Sequence, residues 1–207
     1  MSIVKLSNNG VKNATALGSI SSLGSMIFIK KLTASSSATL SFVDGSSDVT
    51  LDNSYKEYLF TFNNIHPETN TAKFTFQGNA AGGSGYDETI TSTFHYAYHD
   101  EADSEAGVSY YGGGDQAQGT AFQRFSSGGV GNGNDECTSG YLHLFNPSDT
   151  TFVTHFISRN STYQDNNSVN DNYVAGYFNT TSAIDEIQFK FDSGDIDAGD
   201  ICLYGIL

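Results

Sequence analysis

Basic residues are scarce in this sequence. Nine lysines and arginines stand against 23 aspartates and glutamates, which gives a formal net charge of -14. A protein that binds the phosphate backbone of a nucleic acid needs basic patches to neutralise it. The composition therefore argues against nucleic acid as a partner.

Cysteine and proline are also rare, with two of each, and tryptophan is absent. Cys137 and Cys202 lie far apart and match no metal-binding spacing, so they predict two reduced thiols. No early segment has the basic start, apolar core and cleavage site of a secretory signal. No apolar run approaches the about 20 residues that span a bilayer. We therefore expect a chain made in a cytoplasm, without membrane insertion.

Aromatic residues and short β-like runs are what the sequence has in abundance. It contains 15 Phe and 12 Tyr, and no stretch sustains a helical period over three turns. Many short strands separated by Gly, Asn, Asp and Ser predict an all-β, antiparallel β-sandwich that is jelly-roll-like. The predicted strands cover residues 26–32, 38–43, 55–62, 72–77, 91–98, 141–145, 152–158, 173–179, 184–191 and 200–206.

Two segments depart from this strand pattern. Residues 1–25 are small and polar with scattered apolar positions, which indicates an extended N-terminal docking arm, with a floppy terminus as the alternative. Residues 26–207 then form a single β-sandwich domain. Within it, residues 101–140 are a Gly-rich insertion, "YYGGGDQAQGTAF" and "SSGGVGNGNDE" included. Long irregular insertions are often functional, so we expect partner contact here.

The most strongly patterned stretch is "YKEYLFTFNNIHPETNTAKFTFQ", residues 55–77. Tyr58, Phe60 and Phe62 share one face of its first strand, as a half-buried strand requires. We interpret the stretch as a core hairpin joined by one polar turn. His66 then lies in the connection as a satisfied turn histidine.

Two clusters have metal-ligand side chains. "TFHYAYHDEAD" places His95 and His99 on one strand face beside Asp100, Glu101 and Asp103, but spacing along a strand does not secure the convergence that zinc needs. "DSGDIDAGD", residues 192–200, is rich in carboxylates and glycine but lacks the EF-hand pattern. We interpret the first as a polar strand face and the second as a solvated hairpin turn. We expect no metal or other cofactor, with calcium at residues 192–200 as the alternative.

No catalytic constellation is present in the sequence. There is no G-x-S-x-G elbow, and "GGGDQAQG" lacks the lysine and the strand–turn–helix context of a phosphate-binding loop. The separation of carboxylate pairs that glycoside hydrolysis requires cannot be read from sequence. We therefore predict that the protein is not an enzyme and has no catalytic residues.

The best candidate contact residues are Tyr110, Tyr111 and Asp115 in the Gly-rich insertion. Exposed tyrosines stack on sugar rings, and carboxylates accept hydrogen bonds from sugar hydroxyls. Tyrosine is also enriched at subunit interfaces, so the same residues fit a protein partner or packing beneath the loop.

Seven segments resemble virion structural proteins of tailed marine bacteriophages, including those of cyanobacteria. They are "MSIVKLSNNGVKN", "TASSSATLSF", "YKEYLFTFNNIHP", "TSTFHYAYHDE", "GYLHLFNPSDTTFVTHFIS", "VAGYFNTTSAIDEIQFKFDSGDIDAG" and "LYGIL". Together these segments sample most of the chain. The resemblance supplies no catalytic residue.

This resemblance implies a capsid-decorating or tail-associated subunit that binds without catalysis. Its expected partners are copies of itself and other virion proteins, and its expected location is the virion, assembled in the host cytoplasm. An acidic, cysteine-poor β domain with a docking arm suits such a subunit, and we expect a homo-oligomer. The alternative is an adhesin that binds host-surface glycans.

Overall fold

The computed structural model describes residues 25–207, which form two antiparallel β-sheets packed face to face. The predicted fold class is confirmed. The predicted docking arm lies outside the described residues except for Ser25. The strands are β1 (Met26–Ser37), β2 (Leu40–Val43), β3 (Glu57–Pro67), β4 (Phe74–Ala80), β5 (Ile90–Asp100), β6 (Ala106–Tyr110), β7 (Ala117–Gly119), β8 (Gln123–Arg124), β9 (Thr138–Phe145), β10 (His155–Gln164), β11 (Ser168–Phe178), β12 (Ile184–Phe191) and β13 (Ile196–Ile206).

The larger sheet has the order β1-β13-β3-β9-β10-β11-β5-β6, with β7 paired to β5. The smaller sheet has the order β2-β12-β4-β8. Strands β1 to β5 alternate between the sheets, and the last two strands return to pair with the first ones. Strand β13 lies between β1 and β3, and β12 lies between β2 and β4. This crossing connectivity is jelly-roll-like.

The stretch 55–77 does not form the predicted hairpin. Strand β3 pairs with β13 and β9, whereas β4 pairs with β12 and β8 in the other sheet. The rings of Phe62 and Phe74 meet across the sandwich, with centroids 5.2 Å apart. The prediction was wrong because a buried aromatic face on each strand fits two facing sheets as well as one hairpin. His66 lies within β3, where its Nε2 is 3.1 Å from the carbonyl oxygen of Gly133.

Residues 192–200 do not form the predicted hairpin turn either. They lead from β12 in the smaller sheet to β13 in the larger sheet, and these two strands do not pair. Gly194 has φ +68° in the turn, and Gly199 has φ +119° at a β-bulge opposite β3. Asp and Gly chemistry indicates a turn, but it does not determine whether the strands on either side share a sheet.

Aromatic rings from both sheets fill the space between them. The alternating pattern of β3 buries Tyr58, Phe60 and Phe62, and that of β12 buries Ile187 and Phe189. Burial of such faces is the main favourable term in packing the two sheets together. The other fully buried phenylalanines are Phe42, Phe74, Phe76, Phe94, Phe125, Phe156 and Phe178.

Strand β4 is buried at every position because it is covered on both sides. Phe74 and Phe76 point into the core. On the opposite side, the Gln77 side-chain amide donates to the carbonyl oxygens of Glu88 at 3.0 Å and Ala121 at 3.1 Å. The β4–β5 and β7–β8 connections therefore seal the outside of the smaller sheet.

Part of the inner face of the larger sheet is polar. Strand β10 buries Ser158, Asn160 and Thr162, and the neighbouring β11 buries Asn170 and Asn172. Residues 125–131 cover this region. At most positions their backbone groups do not pair with a strand, and buried backbone N–H and C=O groups need hydrogen-bond partners. Side-chain amides supply them, as when the Ser127 N–H donates to the Asn172 Oδ1 at 3.0 Å.

The Gly-rich segment 101–140 is therefore not a peripheral insertion throughout. It contains β6, β7 and β8, and it buries Gln123, Phe125 and Val130 completely. Its backbone also joins two distant segments, since Val130 bridges to both Ala72 and Gln164. The segment is partly core structure, which the glycine content alone does not indicate.

Candidate functional site

The outer face of the larger sheet, turned away from the smaller one, has the most unusual surface in residues 25–207. Nine large hydrophobic side chains in this part of the chain are exposed, and seven of them lie on this face by their strand register. A folded protein scatters single apolar residues over its surface, but concentration on one face marks an interaction site. The seven are Met26, Phe28, Val108, Tyr110, Tyr141, Ile157 and Val169.

A row of aromatic and basic side chains crosses the outer face. Cross-strand partners place Tyr110, His95, Tyr173, Arg159 and Tyr141 side by side on β6, β5, β11, β10 and β9. We call these five residues the outer row. It spans five neighbouring strands because each member is directly opposite the next, and side chains opposite each other share a face.

The middle of the outer row is a preorganised stack. The rings of His95 and Tyr173 are parallel within 4°, with centroids 4.9 Å apart. The Arg159 guanidinium lies 5.0 Å from the Tyr173 ring centroid, a cation–π distance. Both faces of Tyr173 are thereby occupied, so its ring is not free to stack on a partner.

Asp171 fixes the position of Arg159. The guanidinium donates from Nε at 2.9 Å and from Nη2 at 2.8 Å to the two carboxylate oxygens, and the Tyr173 hydroxyl donates to Oδ2 at 3.0 Å. These bonds favour the charged carboxylate, with Arg159 as the largest cause, and lower the pKa of Asp171. The hydrogen bond to Asp171 raises the pKa of Tyr173.

A second row beside the outer row is mainly apolar. It runs through Phe28, Tyr204, Leu59, His143 and Ile157 on β1, β13, β3, β9 and β10. Phe28 and Ile157 are exposed, and Phe28 packs edge-on against Tyr204 with ring centroids 5.7 Å apart. The outer face is thus a broad surface with an apolar band and an aromatic–basic band.

A hollow of about 460 Å³ lies at one end of the outer face. Val169 and Tyr163 line it together with acidic residues of the β5–β6 turn. The Tyr163 hydroxyl donates to Glu101 Oε1 at 2.9 Å, which raises the pKa of Tyr163. The hollow makes this end of the face concave. A partner could therefore fit it by shape, as the cores of protein–protein interfaces do.

The structure brings two of the three predicted contact residues, Tyr110 and Asp115, together and separates Tyr111 from them. Tyr110 is 60% exposed on the outer face, and its hydroxyl donates to the carboxylate of Asp115. Tyr111, predicted to be exposed, is instead half-buried on the inner side, where its ring packs edge-on against Phe94 at 5.3 Å between centroids. Successive residues of an extended chain point to opposite faces, which separates the two tyrosines.

The first predicted polar cluster does not converge on one point. His95 stacks on Tyr173, whereas His99 Nε2 is 3.2 Å from Asp103 Oδ1. Glu101 accepts its hydrogen bond from Tyr163. Across residues 25–207, no group of three or more His, Cys, Asp or Glu side chains is arranged to hold a metal ion.

The acidic segment 192–200 distributes its carboxylates among different partners. Asp192 Oδ1 accepts from the Lys73 N–H at 2.8 Å, and Asp197 Oδ1 accepts from the Ser36 hydroxyl at 3.1 Å. Asp200 accepts from Thr33 at 2.5 Å, which is the largest cause of the lowered Asp200 pKa. These contacts hold the β12–β13 connection against β1 and the start of β4.

Sequence reasoning missed Arg159, Asp171 and Tyr173. The only trace of them is that burial alternates every second residue along "HFISRNSTYQ" and "SVNDNYVAGYF". In these strands Arg159, Asp171 and Tyr173 are exposed or half-exposed between buried neighbours. Apart from Val174, the inward-facing residues beside them are Ser158, Asn160, Asn170 and Asn172, so burial alternates along these strands with little contrast in hydrophobicity. A search for apolar alternation does not detect it.

Comparison of the chain with protein-family models, with curated proteins and with solved structures finds no match. In the part of the chain that the structure describes, no helix is long and apolar enough to cross a membrane. Proposals about function therefore rest on the geometry described above and on the sequence resemblance.

Proposed function

We propose that this chain is a structural subunit of a phage virion, capsid-decorating or tail-associated, that binds copies of itself and other virion proteins and catalyses no reaction. The observation that carries the proposal is the concentration of exposed apolar side chains on the outer face of the larger sheet. The resemblance of seven segments to virion structural proteins supports the same function.

The outer face has the size of a stable subunit interface. Eight strands at about 4.8 Å spacing give a width of about 34 Å, and ten-residue strands give a length of about 33 Å. The resulting area is about 1,100 Å². A standard protein–protein interface buries about 800 Å² of surface on each partner, which is less than this face offers.

An edge strand offers a second contact. Within the described residues, β1 pairs only with β13, so the other edge of this 12-residue strand carries unpaired backbone N–H and C=O groups. A long open edge invites the addition of a strand from another chain. Assembly through the outer face and this edge would cover both features.

Sedimentation of single-site variants tests self-association. Ile157 is 47% exposed on the outer face, and Phe152 is 71% exposed in the β9–β10 connection, outside the strands of the sheet. We expect the wild type to associate with rising concentration, Ile157→Asp to weaken association at least about tenfold because it buries a charge, and the control Phe152→Asp to behave as wild type. Equal association of both variants, or a wild type that stays monomeric, would contradict the proposal.

Glycan binding by an adhesin is the second candidate function. Tyr110 favours it, because its ring is exposed at one end of the outer row and its hydroxyl is held by Asp115. Tyr110→Ala is the informative variant, since Tyr111→Ala would remove packing against Phe94. A glycan array on which Tyr110→Ala binds like the wild type would exclude Tyr110 from a glycan site.

A further inference from the structure

An open cleft of about 500 Å³ lies on the inner side of the larger sheet, beyond the edge of the aromatic core. Tyr96 and Tyr98 of β5 form one wall, and Asn170 of β11 forms part of the floor. Residues 127–128 and the β10–β11 turn close the other sides. The volume is within the range of about 300–1,000 Å³ that small-ligand sites occupy.

The aromatic wall lies on the face opposite the outer row. Tyr110 is directly opposite His95 in the sheet, whereas Tyr96 and Tyr98 point to the other side. Their ring centroids are 5.8 Å apart, and both side chains are only half-buried. Gly107 provides space for Tyr98, since a Cβ at this position would be 3.1 Å from the ring. The two rings thus present partly open apolar surface to the cleft.

Amide side chains line the cleft together with these rings. The Ser168 hydroxyl has one proton, which it donates to Asn166 Oδ1 at 2.6 Å, and the buried Gln164 side-chain amide lies 3.2 Å from the same hydroxyl oxygen. Among residues 25–207, the Asn166 amide nitrogen has no hydrogen-bond partner. The cleft therefore offers one positioned donor beside two aromatic rings.

Asn170 adds an unused acceptor. Its side chain is only 3% exposed, and its Nδ2 donates to the Ser127 hydroxyl at 2.7 Å. Its Oδ1 is buried and has no partner in the described part of the chain. A buried polar atom without a partner costs free energy, so its presence in a native cleft calls for a ligand or water to satisfy it.

The charge of the cleft restricts what it can bind. No Lys or Arg lines it, and Asp100 and Glu105 lie at its rim. Asp100 accepts the backbone N–H groups of Ser104 at 2.8 Å and Glu105 at 2.9 Å, so this carboxylate holds the rim turn. Sulfated, phosphorylated and sialylated ligands would meet unpaired negative charge and are disfavoured.

We propose that this cleft is a binding site for a neutral saccharide of one to two sugar rings. Tyrosine rings pack against the apolar face of a pyranose, and its hydroxyls pair with the Asn166 donor and the Glu105 acceptor. The site is distinct from Tyr110 and does not rest on the assembly proposed above. A virion subunit that carries it would have a glycan-binding function in addition to its structural one.

The test is an array of neutral, sulfated and sialylated oligosaccharides, followed by calorimetric titration of the neutral saccharide that binds best. Tyr98→Ala removes a ring of the wall, and Asn166→Ala removes a donor from an exposed turn where folding is not at risk. We expect each variant to weaken binding at least about tenfold. Phe152→Ala, at a residue that is 71% exposed and does not line the cleft, is the control and should bind as the wild type, whereas Tyr110→Ala tells this site from the outer row.

Three results would overturn this inference. They are the absence of any neutral saccharide binding, binding restricted to anionic glycans, and loss of binding in Tyr110→Ala with retention in Asn166→Ala. The last result would place the glycan site on the outer row instead. None of the three bears on incorporation into particles, so the assembly proposal is tested separately.

Discussion

Replacing Phe62 with alanine should be among the most damaging single changes in this chain. The ring is 1% exposed at the centre of the sandwich. It belongs to β3 of the larger sheet, and its centroid lies 5.0 Å from that of Phe125, 5.2 Å from that of Phe74 and 5.3 Å from that of Phe189. Phe74 and Phe189 belong to the smaller sheet, so Phe62 connects the two sheets directly.

We expect Phe62→Ala to lower the free energy of unfolding by about 3–5 kcal/mol, through lost burial and the cavity left behind. The contact across the sheets should appear as a coupling energy. A double-mutant cycle with Phe189→Ala should give about 0.5–1.5 kcal/mol, which is typical of aromatic pairs. Urea unfolding followed by tyrosine fluorescence and circular dichroism measures both quantities, since the chain has 12 Tyr and no Trp.

Phe152→Ala is the matched control, because Phe152 is 71% exposed and its replacement should change stability by less than about 0.5 kcal/mol. A loss below about 1 kcal/mol for Phe62→Ala, or a coupling energy of zero with Phe189, would refute the reasoning. Either result would mean that β3 and β12 do not face each other across the core.

Three further changes test the polar contacts and the backbone. Asn172→Leu should lower the free energy of unfolding, measured in urea, by about 2 kcal/mol or more, because the Ser127 N–H loses its acceptor. An unchanged free energy of unfolding would show that residues 125–131 do not cover β11. Asp171→Asn should destabilise the protein at pH 7, because Arg159 stabilises the charged carboxylate of the wild type. The stability difference between variant and wild type is present above the ordinary pKa of 3.8 and is lost as pH falls through the lowered pKa of Asp171. A stability difference that is the same at pH 7 and pH 3 would count against the ion pair. Gly199→Ala should lower the midpoint of thermal unfolding and cost more than about 1 kcal/mol, since φ is +119° and a Cβ would lie 2.6 Å from the Asn64 carbonyl oxygen; unchanged stability would argue against the β-bulge.

The fold class could be predicted because its strongest signals are local. Alternation of buried and exposed side chains in "YLFTF" and "IDEIQFKF" predicts half-buried strands, and both form strands as predicted, in β3 and β12. Strands β6, β7 and β8 were not predicted. They are short and lie in a Gly-rich segment, and they are held by pairing with longer strands, β6 and β7 with β5 and β8 with β4.

Which strands pair could not be predicted from local pattern. Residues 55–77 carry a turn between two aromatic strands, yet the strands belong to different sheets. Non-local partners decide this outcome, because β13 and β9 occupy both edges of β3 and leave none for β4. Sequence pattern determines which face of a strand is buried, but the identity of its neighbours depends on the whole chain.

The candidate surfaces were missed for a related reason. The outer row combines residues from five strands spread between positions 95 and 173, and no local window contains it. The polar cleft was also missed, because the buried positions of β10 and β11 around it are Ser, Asn, Thr and Gln. Such residues normally indicate exposure, and here they are buried because a covering loop needs hydrogen-bond partners.

Quantitative mass spectrometry of purified particles of the phage proposed to encode this chain tests the central claim most directly. The account predicts that the protein remains with the particles through gradient purification, in a fixed ratio of many copies to the major capsid or tail protein. Its absence from purified particles, with the protein recovered only in the soluble lysate, would contradict the proposal that it acts as a virion subunit.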